Sequence, residues 1–285
     1  MKTVLQTIQS GTPYLEKAGV ESARLNMEYM LAHVMGCKRM DLYLRFNEPL
    51  EEGTLEPLRD LTRRRAKREP LQHLLGTVEF MGREFISDPR ALIPRPETEE
   101  LVEKILAHYK KHNVPPPAKI LDMGTGSGVI GLSLAHAFPN THATMADVSP
   151  DALALAQENA TKTGLPGARA SFVLTDLFQN LTGGPFDLVV ANLPYVAADE
   201  VSTLEPEVQR DPVLALDGGP LGTEIIIDFL TQCKQHAAPG AFIALEIGVG
   251  QSVSLLTVME NSGLRESRSV SDYSGRDRFL FSVAP

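Results

Sequence analysis

The sequence predicts an α/β protein: a doubly wound parallel sheet with helices on both faces, preceded by a small helical domain. Three observations carry this. From residue 119 onward, short apolar runs alternate with helical stretches, as a parallel sheet with covering helices requires. The first of those runs opens into Gly124-Thr125-Gly126-Ser127-Gly128 and then a helix. Before about Gly76 there is no period-two pattern, and the apolar residues follow helical spacing. The length of 285 residues agrees, since about 150 per domain gives roughly two domains.

In the helical part, Ser22 is placed to cap a helix carrying Ala23, Met27, Met30, Leu31 and Val34, with Gly36 as its stop. A second helix carries Leu55, Leu58 and Leu61 and must end before Pro70. Val78 and Phe80 then alternate with polar neighbours, Met81-Gly82 can turn, and Phe85-Ile86 return, which predicts a hairpin. The prolines of Leu92-Ile93-Pro94-Arg95-Pro96-Glu97-Thr98-Glu99 fix an extended approach. Glu97, Glu99 and Glu100 suit the start of a helix whose buried face is Leu101, Val102, Ile105, Leu106 and Tyr109. Pro115-Pro116-Pro117 ends it. The expected division is therefore 1–75 for the helical domain, 76–93 for a hairpin linker and 94–285 for the sheet domain.

Within the sheet domain the predicted strands are 120–123, 143–147, 171–175, 188–191 and 242–247. Helices are predicted at 129–137, 150–163 (Ser149 as cap, Gly164 as stop) and 223–236. The stretch from Leu264 through Phe281 reads as strand with a turn near Gly275. Ligands of such a sheet bind outside the C-terminal strand ends, where the strand order reverses.

Composition excludes several classes. The net charge of −9 argues against broad attraction to nucleic acid. One stretch runs the other way, with Arg59, Arg63, Arg64, Arg65, Lys67 and Arg68 against Asp60 alone. It reads either as a solvated helix face or as a docking face for an acidic or ribonucleoprotein partner. No apolar run approaches the roughly 18 residues of a membrane span, and polar Gln9 and Ser10 come too early for a secretory segment. Cys37 and Cys233 stand far apart, which forms neither a disulfide framework nor a metal knuckle and suits a reducing cytoplasm. They read as isolated buried thiols. His108 and His112 share a helix face but have no third ligand in view, so they read as cations near a helix C-terminus. No metal site is expected.

The glycine loop carries the first chemical signal. Glycines let the backbone turn sharply and approach a ligand, and the following helix N-terminus offers free N–H groups. Asp147 closes the second strand roughly 20 residues on, where an acid can accept both ribose hydroxyls. Gly126, Gly128 and Gly131 also satisfy G-x-G-x-x-G, so a dinucleotide-binding dehydrogenase is a rival. Two acids oppose it. Asp122, just before the glycines, would repel a pyrophosphate but suits the cationic end of S-adenosylmethionine, and Asp176 ends the third strand, where it or the adjacent backbone can meet an adenine amino group.

The fourth strand ends in Asn192-Leu193-Pro194-Tyr195. An amide nitrogen is a poor nucleophile because its lone pair is delocalised into the carbonyl. Methylating it requires a group that holds it in line with the methyl–sulfur bond. The Asn192 oxygen can accept one N–H and a carbonyl of the following turn the other, which orients the nitrogen and draws its lone pair forward. Pro194 stiffens the turn and Tyr195 can wall the slot. No general base is needed, because the alkylated amide is acidic enough to lose its proton to water.

With these residues in view, the chain resembles the release factor glutamine methyltransferase family (PrmC/HemK). The likeness rests on Glu69-Pro70-Leu71-Gln72-His73-Leu74-Leu75-Gly76, 92–99, 122–128, Asp176-Leu177-Phe178 and 192–195. It continues through Ala215-Leu216-Asp217-Gly218-Gly219, Glu246-Ile247-Gly248 and Gly275-Arg276-Asp277-Arg278, and so spans nearly the whole chain. The resemblance implies a class I, Rossmann-like fold with a mostly parallel seven-stranded sheet and a helical-bundle domain that recognises substrate. It implies transfer of a methyl group from S-adenosylmethionine, leaving S-adenosylhomocysteine, to the glutamine side-chain nitrogen in the Gly-Gly-Gln motif of peptide chain release factors.

Carried over by motif, Gly124, Thr125, Gly126, Ser127 and Gly128 would hold the cofactor, with Asp147 on the ribose and Asp176 and Leu177 at the adenine. Asn192, Leu193, Pro194 and Tyr195 would hold the glutamine. The segment 196–220 would shape the peptide entrance, with Arg95 and Glu97 beside it. Leu193 stands where the family usually has proline, which keeps the carbonyl but loses the fixed φ. Asp211-Pro212 stands where Glu-Pro is more usual. A cytoplasmic monomer with no membrane or direct nucleic-acid contact is expected. The nearer rival is a glutamine methyltransferase of a ribosomal protein. An adenine-N6 DNA methyltransferase would need a basic groove that a charge of −9 does not suit. A non-catalytic binding module would have no use for Asn192 beside a cofactor loop.

Overall fold

A computed structural model describes residues 2–285. They fall into two compact units, one running to Thr77 and including Glu205–Arg210, the other comprising Val78–Leu204 and Asp211–Pro285. The first unit holds α1 (Val4–Lys17), α2 (Ala23–Val34), α3 (Asp41–Leu44), α4 (Glu52–Ala66) and α5 (Leu71–Leu75). Thr3 and Gln6 cap α1 reciprocally, each side chain meeting the other's backbone N–H at 3.3 and 3.1 Å. The core is Ile8, Leu15, Met27, Met30, Leu31, Leu42 and Leu58.

Ser22 departs from expectation. It precedes α2 but sits at φ 48°, and its side chain makes no cap bond. Asn26 ties that turn instead, its Nδ2 donating to the carbonyls of Glu21 and Ser22. Much of the basic stretch is spent inside this unit: Arg59 pairs with Glu52, Arg64 with Glu69, and Arg65 and Arg68 both with Glu207. Arg65 is buried and also donates to Asn26 Oδ1 at 2.8 Å.

Next come β1 (Thr77–Phe80) and β2 (Arg83–Ile86), joined by Met81 and Gly82 at φ 50° and 68°, as a two-residue hairpin turn demands. Then follow α6 (Pro96–Lys111), β3 (Lys119–Met123), α7 (Val129–Ala137), β4 (His142–Asp147), α8 (Pro150–Lys162) and β5 (Ala170–Leu174). β6 (Phe186–Asn192), α9 (Glu224–Cys233), β7 (Ala237–Glu246), α10 (Ser252–Asn261), β8 (Arg265–Ser271) and β9 (Asp277–Val283) complete the chain. The seven-stranded sheet has the order β5-β4-β3-β6-β7-β9-β8, with β9 antiparallel to both neighbours and the other pairs parallel. The order reverses at β3, whose C-terminal end therefore faces the crevice.

Alternation along the strands builds the core. Ile120, Leu188, Val190, Phe242 and Ala244 face one side with Leu101, Ile105 and Phe138. Leu121, Met123, Val189, Ala191, Ile243 and Leu245 face the other with Ile226, Phe229 and Leu230. Phe229 is fully buried and stacks on Phe178 at 5.4 Å between ring centroids. Phe229→Ala is expected to cost about 3–5 kcal/mol of stability, read from urea unfolding; a loss below about 1 kcal/mol would contradict this packing. His108 stacks on Phe242 at 3.9 Å, and burial holds its pKa below the ordinary value, which disfavours the charge that its helix position suggested. Cys233 is buried, its thiol pushed up to about 12 by burial, whereas Cys37 is only half-buried. Among the described residues no helix is long and apolar enough to cross a membrane.

Candidate functional site

A cavity of about 390 Å³ opens at the C-terminal ends of β3, β4, β5 and β6. Glycines build its floor. Gly124 and Gly126 sit at φ 69° and 55°, where other residues are strained. A Cβ on Gly124 would lie 2.9 Å from the Leu193 side chain, whereas one on Gly126 has only Ala91 nearby, at 3.8 Å. The loop therefore presses on the Asn192-Leu193 turn at one glycine and stays open to the cavity at the next.

Two carboxylates fix the loop. Asp122 is fully buried; its Oδ2 accepts from the Thr125 hydroxyl at 2.7 Å and the Gly131 N–H at 2.8 Å. It does not line the cavity; its side chain holds the loop from behind. Its Oδ1 has no hydrogen-bond partner among the described residues. Asp147 does line the cavity, accepting the Gly126 N–H at 2.8 Å and the Ser149 N–H at 2.9 Å. Burial raises its pKa, while those N–H groups pull it back. Asn159, fully buried on α8, donates to the Ser127 carbonyl at 2.9 Å and exchanges bonds with both backbone groups of Ile86. It joins the hairpin to the loop.

Burial pushes the Asp122 carboxyl up to about 6 from an ordinary 3.8. A carboxyl that holds its proton more tightly folded than unfolded makes the folded protein lose stability as pH rises between those values. The loss is roughly 3 kcal/mol for a shift of about two units. Asp122→Asn is expected to flatten the wild-type decline in unfolding free energy between pH 4 and pH 6; an unchanged slope would contradict it. Asp211, also pushed up to about 6 by burial, supplies a separate share in both proteins.

Of the residues predicted from sequence, Gly124, Thr125, Gly126, Ser127, Asp147, Asp176, Leu177, Asn192, Leu193 and Pro194 line the cavity. Leu177 is held at φ 47°, a strained conformation at its wall. Gly128 and Tyr195 do not line it. Gly128 caps α7 and packs on Ala156 and Leu132, where a Cβ would come within 3.0–3.3 Å. The Tyr195 hydroxyl accepts from Arg278 at 3.1 Å and donates to Glu246 at 3.4 Å. Arg95 and Glu97 also lie off the cavity wall; Arg95 pairs with buried Asp211 at 2.7 Å, while Pro212, Leu214 and Ala215 of the same long loop reach the wall.

Sequence reasoning gave no role to Thr98, Glu246, Gln251 or Asn159. Gln251 accepts the Gly248 N–H and donates to the carbonyls of Tyr195 and Gly222, bracing the turn after Asn192. The Asn-type pattern ahead of a turn was the available signal for the cavity, but these braces come from residues remote in sequence.

The donor set favours a nucleoside over a dinucleotide. The Gly126 N–H, which a pyrophosphate would use, is taken by Asp147. Arg90, the only cation on the wall among the described residues, is spent on Asp88 and Glu158. Asp147 and Asp176 beyond the ends of β4 and β5 and the glycines of the floor fit the ribose and base of a nucleoside.

Residues 6–76 match the PrmC N-terminal domain and residues 101–208 the methyltransferase small domain. The chain is 38% identical to a release factor glutamine methyltransferase of Geobacter sulfurreducens, covering 98% of this chain and 95% of that protein. A protein of the same name from Deinococcus radiodurans is 36% identical, with 96% and 95% covered. A solved methyltransferase from Pyrococcus furiosus shares the fold at a TM-score of 0.55 and 16% identity, covering 78% of this chain and 98% of that one.

Proposed function

Because the chain belongs to the release factor glutamine methyltransferase family, we propose that it methylates the side-chain nitrogen of the glutamine in the Gly-Gly-Gln motif of peptide chain release factors. The methyl donor is S-adenosylmethionine, which supplies an electrophilic methyl on a sulfonium. Gly124, Gly126, Asp147, Asp176 and Leu177 would hold it, consistent with their places on the cavity wall.

One observation carries the reading. The Asn192 carboxamide stands on the cavity wall at the end of β6, and its Nδ2 donates to Thr98 Oγ1 at 3.2 Å. Its oxygen is engaged by no donor among the described residues, so it is free to accept an N–H from a planar amide. The Leu193 carbonyl, one residue on, supplies the second acceptor. Two acceptors on one nitrogen fix its orientation and enrich its lone pair. The helical unit is the substrate-recognition domain in this reading, and the long loop 196–220 shapes the entrance. The protein works in the cytoplasm as a monomer, without membrane or direct nucleic-acid contact.

The test is incubation with methyl-labelled S-adenosylmethionine and, in parallel, release factor, ribosomal proteins and DNA, followed by peptide mapping. Label on the Gly-Gly-Gln glutamine is expected. Label confined to a ribosomal protein or to DNA would replace this reading with one of its rivals.

A further inference from the structure

We propose that Thr98 and Glu246 are positioning residues that dictate which end of the Asn192 carboxamide faces the substrate. A carboxamide has a donor end and an acceptor end of nearly equal size, so packing alone does not choose between them. Here hydrogen-bond direction chooses. Glu246, at the end of β7, is buried; as a carboxylate it can only accept. Its Oε2 takes the single hydroxyl proton of Thr98, in the first turn of α6, at 2.8 Å. The Thr98 oxygen, having given its proton away, can only accept, and it receives Asn192 Nδ2 at 3.2 Å. The donor end of Asn192 is thereby consumed and the acceptor end is left for the cavity.

Arg278 completes the chain from β9. Its guanidinium lies 3.5 Å from Glu246 Oε1, donates to the Tyr195 hydroxyl at 3.1 Å and stacks over that ring at 5.2 Å. The Tyr195 hydroxyl in turn donates to Glu246. Burial raises the Glu246 pKa, while the Thr98 hydroxyl, the Arg278 cation and the Tyr195 phenol favour its charged form; with Arg278 and Tyr195 on one oxygen, the other is left to accept from Thr98. If the amide were reversed, an N–H would meet the N–H of the substrate nitrogen and a lone pair would meet the Thr98 oxygen. Leaving such groups unpaired costs about 1–3 kcal/mol, or roughly tenfold to a hundredfold in rate.

This inference rests on the glutamine reading above, and its test separates the two. In Thr98→Val the shape is kept and the hydroxyl lost; Thr98→Ser restores the hydroxyl, and Thr98→Ala gives the same loss should the valine variant fail to fold. The readouts are kcat and KM for release factor, calorimetric affinity for S-adenosylmethionine, and ¹⁵N NMR of the Asn192 side-chain amide. Thr98→Val is expected to lose about tenfold to a hundredfold in kcat, with cofactor affinity within about twofold of wild type. Its Asn192 amide protons should exchange freely with water, whereas wild type and Thr98→Ser should retain one protected proton and similar turnover. Wild-type turnover in Thr98→Val, an equal loss in Thr98→Ser, or unchanged amide protection would overturn the relay. Failure of the wild type to label release factor would instead overturn the function, and the NMR comparison would still decide the relay.

Discussion

Asn192→Ala is expected to reduce methyl transfer by at least roughly 10²–10³-fold in kcat while changing cofactor affinity less than about threefold. The magnitude follows from what one preorganised polar group contributes where charge develops in a transition state. The selectivity follows from the structure. Asn192 is half-buried on the wall, and among the described residues its side chain bonds only to Thr98, so the glycine loop and both loop-fixing acids keep their partners when it is truncated. Single-turnover transfer and calorimetric binding measured side by side check this. A large loss of cofactor binding would mean that the residue belongs to the nucleoside subsite.

Gly126→Val is expected to act at the other end of the site and remove cofactor binding, with Kd rising by about a hundredfold or more. The backbone there holds φ 55°, which a β-branched residue adopts only with strain of about 1–3 kcal/mol. The new side chain would project into the open space that only Ala91 approaches. Relief of the strain would pull the Gly126 N–H from Asp147 Oδ2, losing the bond that joins loop to acid. Far-UV circular dichroism should stay that of the wild type, because the loop lies outside the strands and helices. Unimpaired cofactor binding in a folded variant would refute the placement of this loop under the nucleoside.

Much of this was legible because the signals are local. The strands of the sheet announce themselves by apolar runs whose alternate members reach opposite cores, as Ile120 and Leu121 do. The glycine loop and Asn192-Leu193-Pro194-Tyr195 are contiguous, and chemistry assigns them without tertiary knowledge. α10 went unread because no side chain caps it and Val253, Leu256 and Val258, interspersed among its buried Ser252, Leu255 and Met259, blur the helical period. Arg65 and Arg68 looked like a surface stripe because their partner Glu207 lies more than a hundred residues away, within the loop that follows the site. Thr98 and Glu246 are 148 positions apart, so their bond exists only once α6 and β7 have packed. Tyr195 was read as a wall of the slot from its adjacency to Pro194, but the hydroxyl is drawn toward Arg278 and Glu246.

The most direct test of the account is a crystal structure with S-adenosylhomocysteine and a glutamine-containing peptide of the release factor loop. The glutamine side-chain nitrogen should lie about 3 Å from Asn192 Oδ1 and within hydrogen-bonding reach of the Leu193 carbonyl, facing the sulfur. A glutamine bound elsewhere, or an Asn192 amide turned with its nitrogen toward the peptide, would contradict it.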